Sequence, residues 1–487
     1  MAPLLAAVLV FAPLIKGGNR PLALLVLELA AVVLLVALAM RPQGVASHLS
    51  RPLVATQAVL LALPLVQLVP LPESLWAALP GRDAYLAALA SVGLEPGRRT
   101  LSLLPRATES SWLALLPPVA VFLATVVQPD RRLRSMVRIF LAMAVVQAVI
   151  SLAQFGTGSV AVFWYVEGLH DRSGIGTYAN RDHLAGLLEM ALPLALALLA
   201  ANLHPGSQKA PRHHGRSLGR RLGRMFSEGY KLNQTLLYAA ACVAILIGLI
   251  FTRSRTGVAL GMLAILLCAI AFARRIGGER SVRMVTVLGA LGLALAVEIG
   301  LAPVLSRFTE LSVSADARWS IYSATVAGIG EFFPAGSGIG TYPEVFRRFQ
   351  PGDVPGFVNN AHNDYLEWLF EGGVVAGLLI LAFLVLYLAR WPRVWSKERW
   401  SQLRFLQVAA GISLLLMGLH GLIDFNLHIP ANAIYFAFLA GLFFHREEEV
   451  ALPPARQQRT RASDKPPEPL KDPFPAPPSN VPNPFAE

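Results

Sequence analysis

The chain has 487 residues, 55% of them hydrophobic and only 15% charged, with a formal net charge of +12, whereas soluble globular domains carry about 25% charged residues. That balance excludes a soluble globular protein, and the two cysteines exclude a disulfide-stapled scaffold. In lipid only a helix or a closed barrel satisfies its own backbone polar groups, and apolar stretches of roughly 15 to 22 residues match helices, so the expected class is an all-α polytopic membrane protein.

In chain order, apolar stretches at 2–15, 21–40, 52–70, 111–128, 135–155, 183–202, 235–252, 256–273, 284–301, 372–389, 405–424 and 429–444 predict about 12 transmembrane helices. The first has neither the basic lead-in nor the small-residue cleavage pattern of a signal peptide and is read as retained. Cys242 and Cys268 both fall inside predicted spans, as small apolar packing residues. The expected division is a set of N-terminal helices over 1–155, a transmembrane core over 156–445, and a Pro-rich tail over 446–487 that is expected to be disordered.

Most of the lysines and arginines fall in 41–51, 129–138, 203–234, 274–283, 390–404 and the tail. Cytoplasmic loops carry that excess, so both termini are expected on the cytoplasmic side of the membrane. The positive charge then reports topology and contact with anionic membrane lipids, and no nucleic-acid partner is expected. The opposite, periplasmic face receives 71–110 and 302–371. Both are too long to be simple connections, and 302–371 is expected to fold as a subdomain on the membrane surface. The basic 203–234 segment reads as a solvated loop. The hexapeptide SGIGTY occurs at 173–178 and again at 337–342; its glycines suit tight turns, and no strand–turn–helix unit surrounds it as a nucleotide fingerprint would require.

Chemistry concentrates in NNAHNDYLEWLFEGG, residues 359–373, where a long outer segment re-enters the membrane. His362 is an imidazole at the bilayer surface, a group able to take up a proton near neutral pH. Asn363 suits a helix start, and Asp364 and Glu367 in the first turns complement the helix dipole. Glu371 lies four residues beyond Glu367 and so shares its helix face. Arg253 and Arg255 in FTRSRTG lie between two spans joined by almost no loop. Intramembrane arginine is tolerated where it is paired or lines a polar cavity; residues two apart on a helix point about 200° from each other, so one of the pair is expected to face such a cavity.

Arg318 in DARWSIY, Arg172 in HDRSG and Arg181 in ANRDHLAG are further outer-side guanidiniums. Several guanidiniums near one histidine describe a site for a phosphate or pyrophosphate. The chain has no D-x-D, Walker loop, G-x-S-x-G or metal-ligand spacing, which disfavours a metal-dependent nucleotide-sugar transferase, an ATPase and a serine hydrolase. What remains is group transfer with no metal and no cofactor, histidine acting as base and arginines stabilising an anionic leaving group. The alternative is a membrane transporter. Transporters place polar residues near the bilayer midplane, whereas these cluster at the outer boundary. Asp424, Asn426 and His428 in HGLIDFNLHIP either line the same cavity or cap and turn the chain.

Five segments in order, GTYANRDHLAGLLEMALPLALAL, FTRSRTGVALGMLAILL, RWSIYSATVAGIGEFFPAGSGIGTYPEVF, NNAHNDYLEWLFEGGVVAGLL and HGLIDFNLHIPANAIYFAFLAGLF, resemble the O-antigen ligase and polymerase family of bacterial membrane proteins. The resemblance spans roughly 170–445 and implies a GT-C-like glycosyltransferase architecture. It also implies transfer of a glycan from an undecaprenyl-pyrophosphate-linked donor to an acceptor hydroxyl on the periplasmic side, the acceptor being a lipid A core sugar or another glycan. The family's histidine falls on His362 and its arginines on Arg255 and Arg318. The implied reaction is direct displacement with inversion, in which His362 accepts the acceptor proton while the two arginines hold the departing pyrophosphate. Arg172, Arg181, Arg253, Asn363 and Glu371 are the accompanying candidates for substrate contacts. Ligase and polymerase share these features.

Overall fold

The computed structural model describes residues 1–41, 49–95, 97–157, 173–203, 218–276, 313–395 and 400–446. In that order the helices are α1 Ala2–Phe11, α2 Pro21–Ala39, α3 Arg51–Gln67, α4 Glu73–Ala77, α5 Asp83–Ser91, α6 Pro105–Val126, α7 Asp130–Thr157, α8 Arg181–Leu203, α9 Leu218–Phe251, α10 Arg255–Ile276, α11 Val313–Phe332, α12 Tyr342–Val345, α13 Asp364–Val394, α14 Gln402–His420 and α15 Pro430–Phe444. Two short strands, β1 Pro70–Leu71 and β2 Arg99–Thr100, pair antiparallel with Pro70 opposite Thr100. Among the described residues, eight helices are long and apolar enough to cross a membrane, and α1, α3 and α15 are shorter apolar helices. The chain is thus an all-helical polytopic membrane protein. The span expected at 284–301, Arg172 and the tail from 447 lie outside the described residues.

Burial sorts the helices. The apolar run of α8 is wholly buried, enclosed by α7, α9, α10 and α14; a helix hydrophobic all round belongs in such an interior. The α2 helix leaves Leu22, Leu25 and Leu29 exposed, and α13 leaves Leu378, Leu381 and Leu388 exposed, rows that lipid covers in a membrane. On the far side α15 packs on α6, and α6 on α2 and α3.

Three features differ in detail from the expectation. First, 203–234 is not wholly loop, because α9 begins at Leu218. Its first turns carry Leu218, Leu222, Met225 and Phe226 at helical spacing, which the excess of arginine in the same stretch hides. Second, the long helix after His362 is broken at Gly373, whose φ of +56° no helix contains. Backbone groups freed at the break bond to the turn at 334–338: Val374 N–H donates to Pro334 C=O (2.9 Å), Gly338 N–H to Glu371 C=O (2.9 Å) and Ser337 N–H to Phe370 C=O (3.0 Å). The site-bearing turns 364–372 are thereby separated from the apolar run that follows. Third, the described part of 302–371 is largely α11 plus a compact return. Ile321, Phe332, Tyr342, Val345, Phe346, Val354, Val358, Ala361 and Phe370 form a hydrophobic core apart from the main one.

The two SGIGTY copies adopt related turns. The Ile175 N–H donates to Gln154 Oε1 (2.9 Å) and the Ile339 N–H to Gln67 Oε1 (2.9 Å). The last glycine of each copy has positive φ, Gly176 at +60° and Gly340 at +80°, and Tyr178 and Tyr342 are both buried. A buried glutamine amide supplies both the acceptor and the donor that a turn entering an apolar bundle requires.

Candidate functional site

Three helices begin at one end of the bundle. At α8, Asn180 Oδ1 accepts the Asp182 N–H at 2.9 Å; at α10, Ser254 Oγ accepts the Gly257 N–H at 3.1 Å. Asn363 caps α13, its Oδ1 accepting the N–H groups of Tyr365 and Leu366 at 3.0 Å. Contacts tie these starts together. A Cβ on Gly257 would lie 2.4 Å from the Ala185 Cβ, the Gly174 N–H donates to Phe251 C=O (3.0 Å), and the Asp364 N–H donates to Gly421 C=O at the end of α14 (2.8 Å). Helix N-termini carry partial positive charge, so this end of the bundle suits an anion.

His362 sits at that end with its side chain about one third exposed (32%). Its φ is +53°, and its C=O accepts a hydrogen bond from the Tyr322 hydroxyl of α11 at 2.7 Å. The ring meets Phe425 edge to face with centroids 5.0 Å apart, and His183 meets the same ring at 4.8 Å. His362 Nδ1 lies 3.4 Å from Asp424 Oδ1, which also accepts the Phe425 N–H at 2.9 Å. Burial pushes the Asp424 carboxyl up, but the hydrogen bond from His362 and the imidazoles of His183 and His420 outweigh it and hold the group at about 2. An ionised Asp424 requires Nδ1 to carry the ring proton, which leaves the Nε2 lone pair as the base. At 3.4 Å the contact is long, a common condition of catalytic hydrogen bonds without substrate.

The carboxylates that follow are structural. His428 Nδ1 lies 2.8 Å from Asp364 and Nε2 3.2 Å from Glu367. Glu367 accepts from Asn360 Nδ2 (2.9 Å) and from the Ala361 N–H (2.7 Å), so it holds the residues just before His362. Burial pushes the His428 imidazole down, while Glu367 and Asp364 raise it further, to about 10. Glu371 is buried and accepts the Tyr342 N–H at 2.8 Å; its carboxylate organises the 337–342 turn.

Arg318 lies one helical turn before Tyr322 on α11, and both Arg318 and Asp424 act electrostatically on the Tyr322 hydroxyl. Arg255 opens α10 and Arg181 opens α8, and both are half-buried. Arg253 lies in the α9–α10 turn at φ +56°, so the 200° helical argument does not apply to it. His183, Glu189, His420 and Tyr322 sit in the quoted motifs without having been singled out. A buried polar residue in an apolar run was their signal. Beside the site lies an apolar cavity of about 270 Å³ between α3, α6, α13, α14 and α15, with Asp364 and Tyr365 in its lining together with Leu60, Phe383, Phe436 and Ala437.

Residues 240–381 match the family model described as O-antigen ligase. The O-antigen ligase segment contains Arg253, Arg255, Arg318, His362, Asn363 and Glu371, with Arg181 before it and Asp424 after it. The family resemblance read from the sequence is thus matched by the family model over that stretch. No curated protein gives a significant match to the chain.

Proposed function

We propose that the protein transfers a glycan from an undecaprenyl-pyrophosphate-linked donor to an acceptor sugar hydroxyl at the periplasmic face of the inner membrane. The observation that carries this is the His362–Asp424 pair, 3.4 Å apart, at the end of the bundle where α8, α10 and α13 all begin. His362 Nε2 removes the proton of the acceptor hydroxyl as its oxygen attacks the anomeric carbon. The bond from that carbon to the pyrophosphate oxygen breaks on the opposite face, so the configuration inverts.

Negative charge develops on the departing pyrophosphate. Arg255 and Arg318 neutralise it, with Arg181, Arg253 and the helix N-termini contributing to the same field; fixed positive groups of this kind take the place of a metal ion. Asn363 positions the base by capping α13. Arg172 is proposed as an outlying donor contact, and Glu371 serves the site through the turn it holds. The apolar cavity beside Asp364 suits part of the isoprenoid chain of the donor. The reading includes a topology of twelve spans with cytoplasmic termini and a GT-C-like architecture.

The test is the lipid-linked glycan pool in cells carrying His362→Ala at matched membrane abundance. Accumulation of undecaprenyl-linked glycan with loss of surface polysaccharide is expected. Single accumulated repeats identify a polymerase and long chains a ligase, whereas unchanged surface polysaccharide removes His362 as the base.

A further inference from the structure

Behind the base lies a second pair of titratable groups that the reaction does not use. On α8, Gly186 lies one turn after His183 and Glu189 one turn after Gly186. Opposite them stands the last residue of α14: His420 Nδ1 lies 3.0 Å from both carboxylate oxygens of Glu189, and both side chains are 0% exposed. An ionisable pair placed inside an apolar bundle is costly, and such residues mark functional positions by default. The chain turns at once after His420, and the Asp424 N–H donates to the His420 C=O at 3.1 Å. This backbone bond ties Asp424 to the end of α14.

Both side chains keep a buried polar atom without a partner. His420 Nε2 and Asp424 Oδ2 are buried and neither has a partner among the described protein atoms; the same holds for His183 Nε2 and Asn426 Nδ2. Asp424 Oδ2 accepts, Asn426 Nδ2 donates, and an imidazole nitrogen does either. Gly186 gives Asn426 room, since a Cβ there would lie 2.4 Å from Asn426 Oδ1. Among the described residues no group of three His, Cys, Asp or Glu side chains has the geometry to hold a metal ion.

We propose that the Glu189–His420 pair positions the base from behind: Glu189 holds His420 as its counter-ion, and His420 offsets the charge of Asp424 and keeps it turned toward His362. This rests on His362 being the base. The groups facing His420 are Glu189, Asp182 and His183 from α8 and Asp424 from its own turn; those around His362 are Asp424, His183 and the Tyr322 hydroxyl. Neither Glu189 nor His420 touches substrate, so both are positioning residues. Losing His420 leaves the Asp424 charge uncompensated, which strengthens its hold on a protonated His362.

The experiment uses the full chain and an undecaprenyl-pyrophosphate-linked glycan, with initial rates measured across pH and melting followed in parallel. Replacing a buried ion pair by apolar residues of similar volume is often neutral or stabilising, so Glu189→Met combined with His420→Leu is expected to melt at or above the parent temperature. Its rate at neutral pH is expected to fall at least about tenfold, and the acid limb of its pH–rate profile to move up by about half a unit or more. Glu189→Gln is expected to move the limb the same way, and Glu189→Asp to restore it. A parental profile in the double variant overturns the proposal. An unchanged limb in Glu189→Gln overturns it equally, even where the double variant fails to reach the membrane. An active His362→Ala protein would instead overturn the base assignment itself.

Discussion

His362 holds a left-handed backbone, φ +53°, a conformation that costs a non-glycine residue about 1–3 kcal/mol and persists only where its surroundings impose it. Here the Tyr322 hydroxyl holds its C=O, Glu367 holds the residue before it and Asn363 caps the helix after it. The imidazole is thereby fixed against Asp424. Asp424→Asn is expected to lower turnover by about 10²- to 10⁴-fold at unchanged membrane abundance, because an amide cannot stabilise the imidazolium that forms; steady-state rates with a lipid-linked donor check this. The folded value of Asp424, about 2, lies below the ordinary value of about 3.9. Its stabilisation is therefore present above about pH 4 and lost as pH falls through 2. The melting difference between parent and Asp424→Asn should stay constant from pH 5 to 8 and shrink below about pH 4. Sequence named His362 as a candidate and Asp424 only as a residue that either lines a cavity or turns the chain. The two are 62 positions apart, and no local spacing relates them.

At the scale of elements, α13 shows how a helix is made to serve two solvents. Its first turns hold the polar network around His428, and its later turns present Leu378, Leu381 and Leu388 outward. Gly373 joins the two parts in a left-handed bend, with a hypothetical Cβ only 2.1 Å from Pro334 C=O. Gly373→Val is expected to strain the backbone by about 1–3 kcal/mol before the clash is counted, lowering the melting midpoint and the membrane yield. His428 is raised to about 10 by the two carboxylates of this helix, above its ordinary 6.5. The stability it contributes is complete below about pH 6.5 and is lost as pH rises through 10. The melting midpoint of the parent should fall over that window, and His428→Gln should start lower and flatten the fall; differential scanning fluorimetry in detergent checks both. The helix start at Asn363 was legible from its residue type. The break was not, because two glycines before an apolar run also fit a straight membrane helix.

For the whole molecule, the positive-inside reading places the 302–371 segment and the start of α8 on one face and the α6–α7 turn on the other. With Cys242 and Cys268, both buried, replaced by alanine, a single Asp353→Cys is expected to react with an impermeant thiol reagent in intact cells with a permeabilised outer membrane. Arg132→Cys should react only after the inner membrane is opened, and the reverse pattern would invert the topology and the proposed site with it. The repeated SGIGTY turn belongs to this scale too. Each copy is pinned by a glutamine from a different helix, Gln154 or Gln67, so one hexapeptide closes two separate parts of the bundle.

By itself the sequence determined which segments are apolar enough to be membrane helices: apolar length and the polar residues at helix starts depend on near neighbours in the chain, and the boundaries of α2, α8, α10 and α14 follow within a few residues. It also led to the expectation of a histidine and several arginines toward one membrane face. Only the tertiary structure decided which of them meet. Pairing His362 with Asp424, and Glu189 with His420 across 231 positions, depends on how α8, α13 and α14 pack, and that packing is set by small residues such as Gly186, Gly257 and Gly421, whose lack of a side chain leaves room for a neighbour and gives no periodic signal in the sequence.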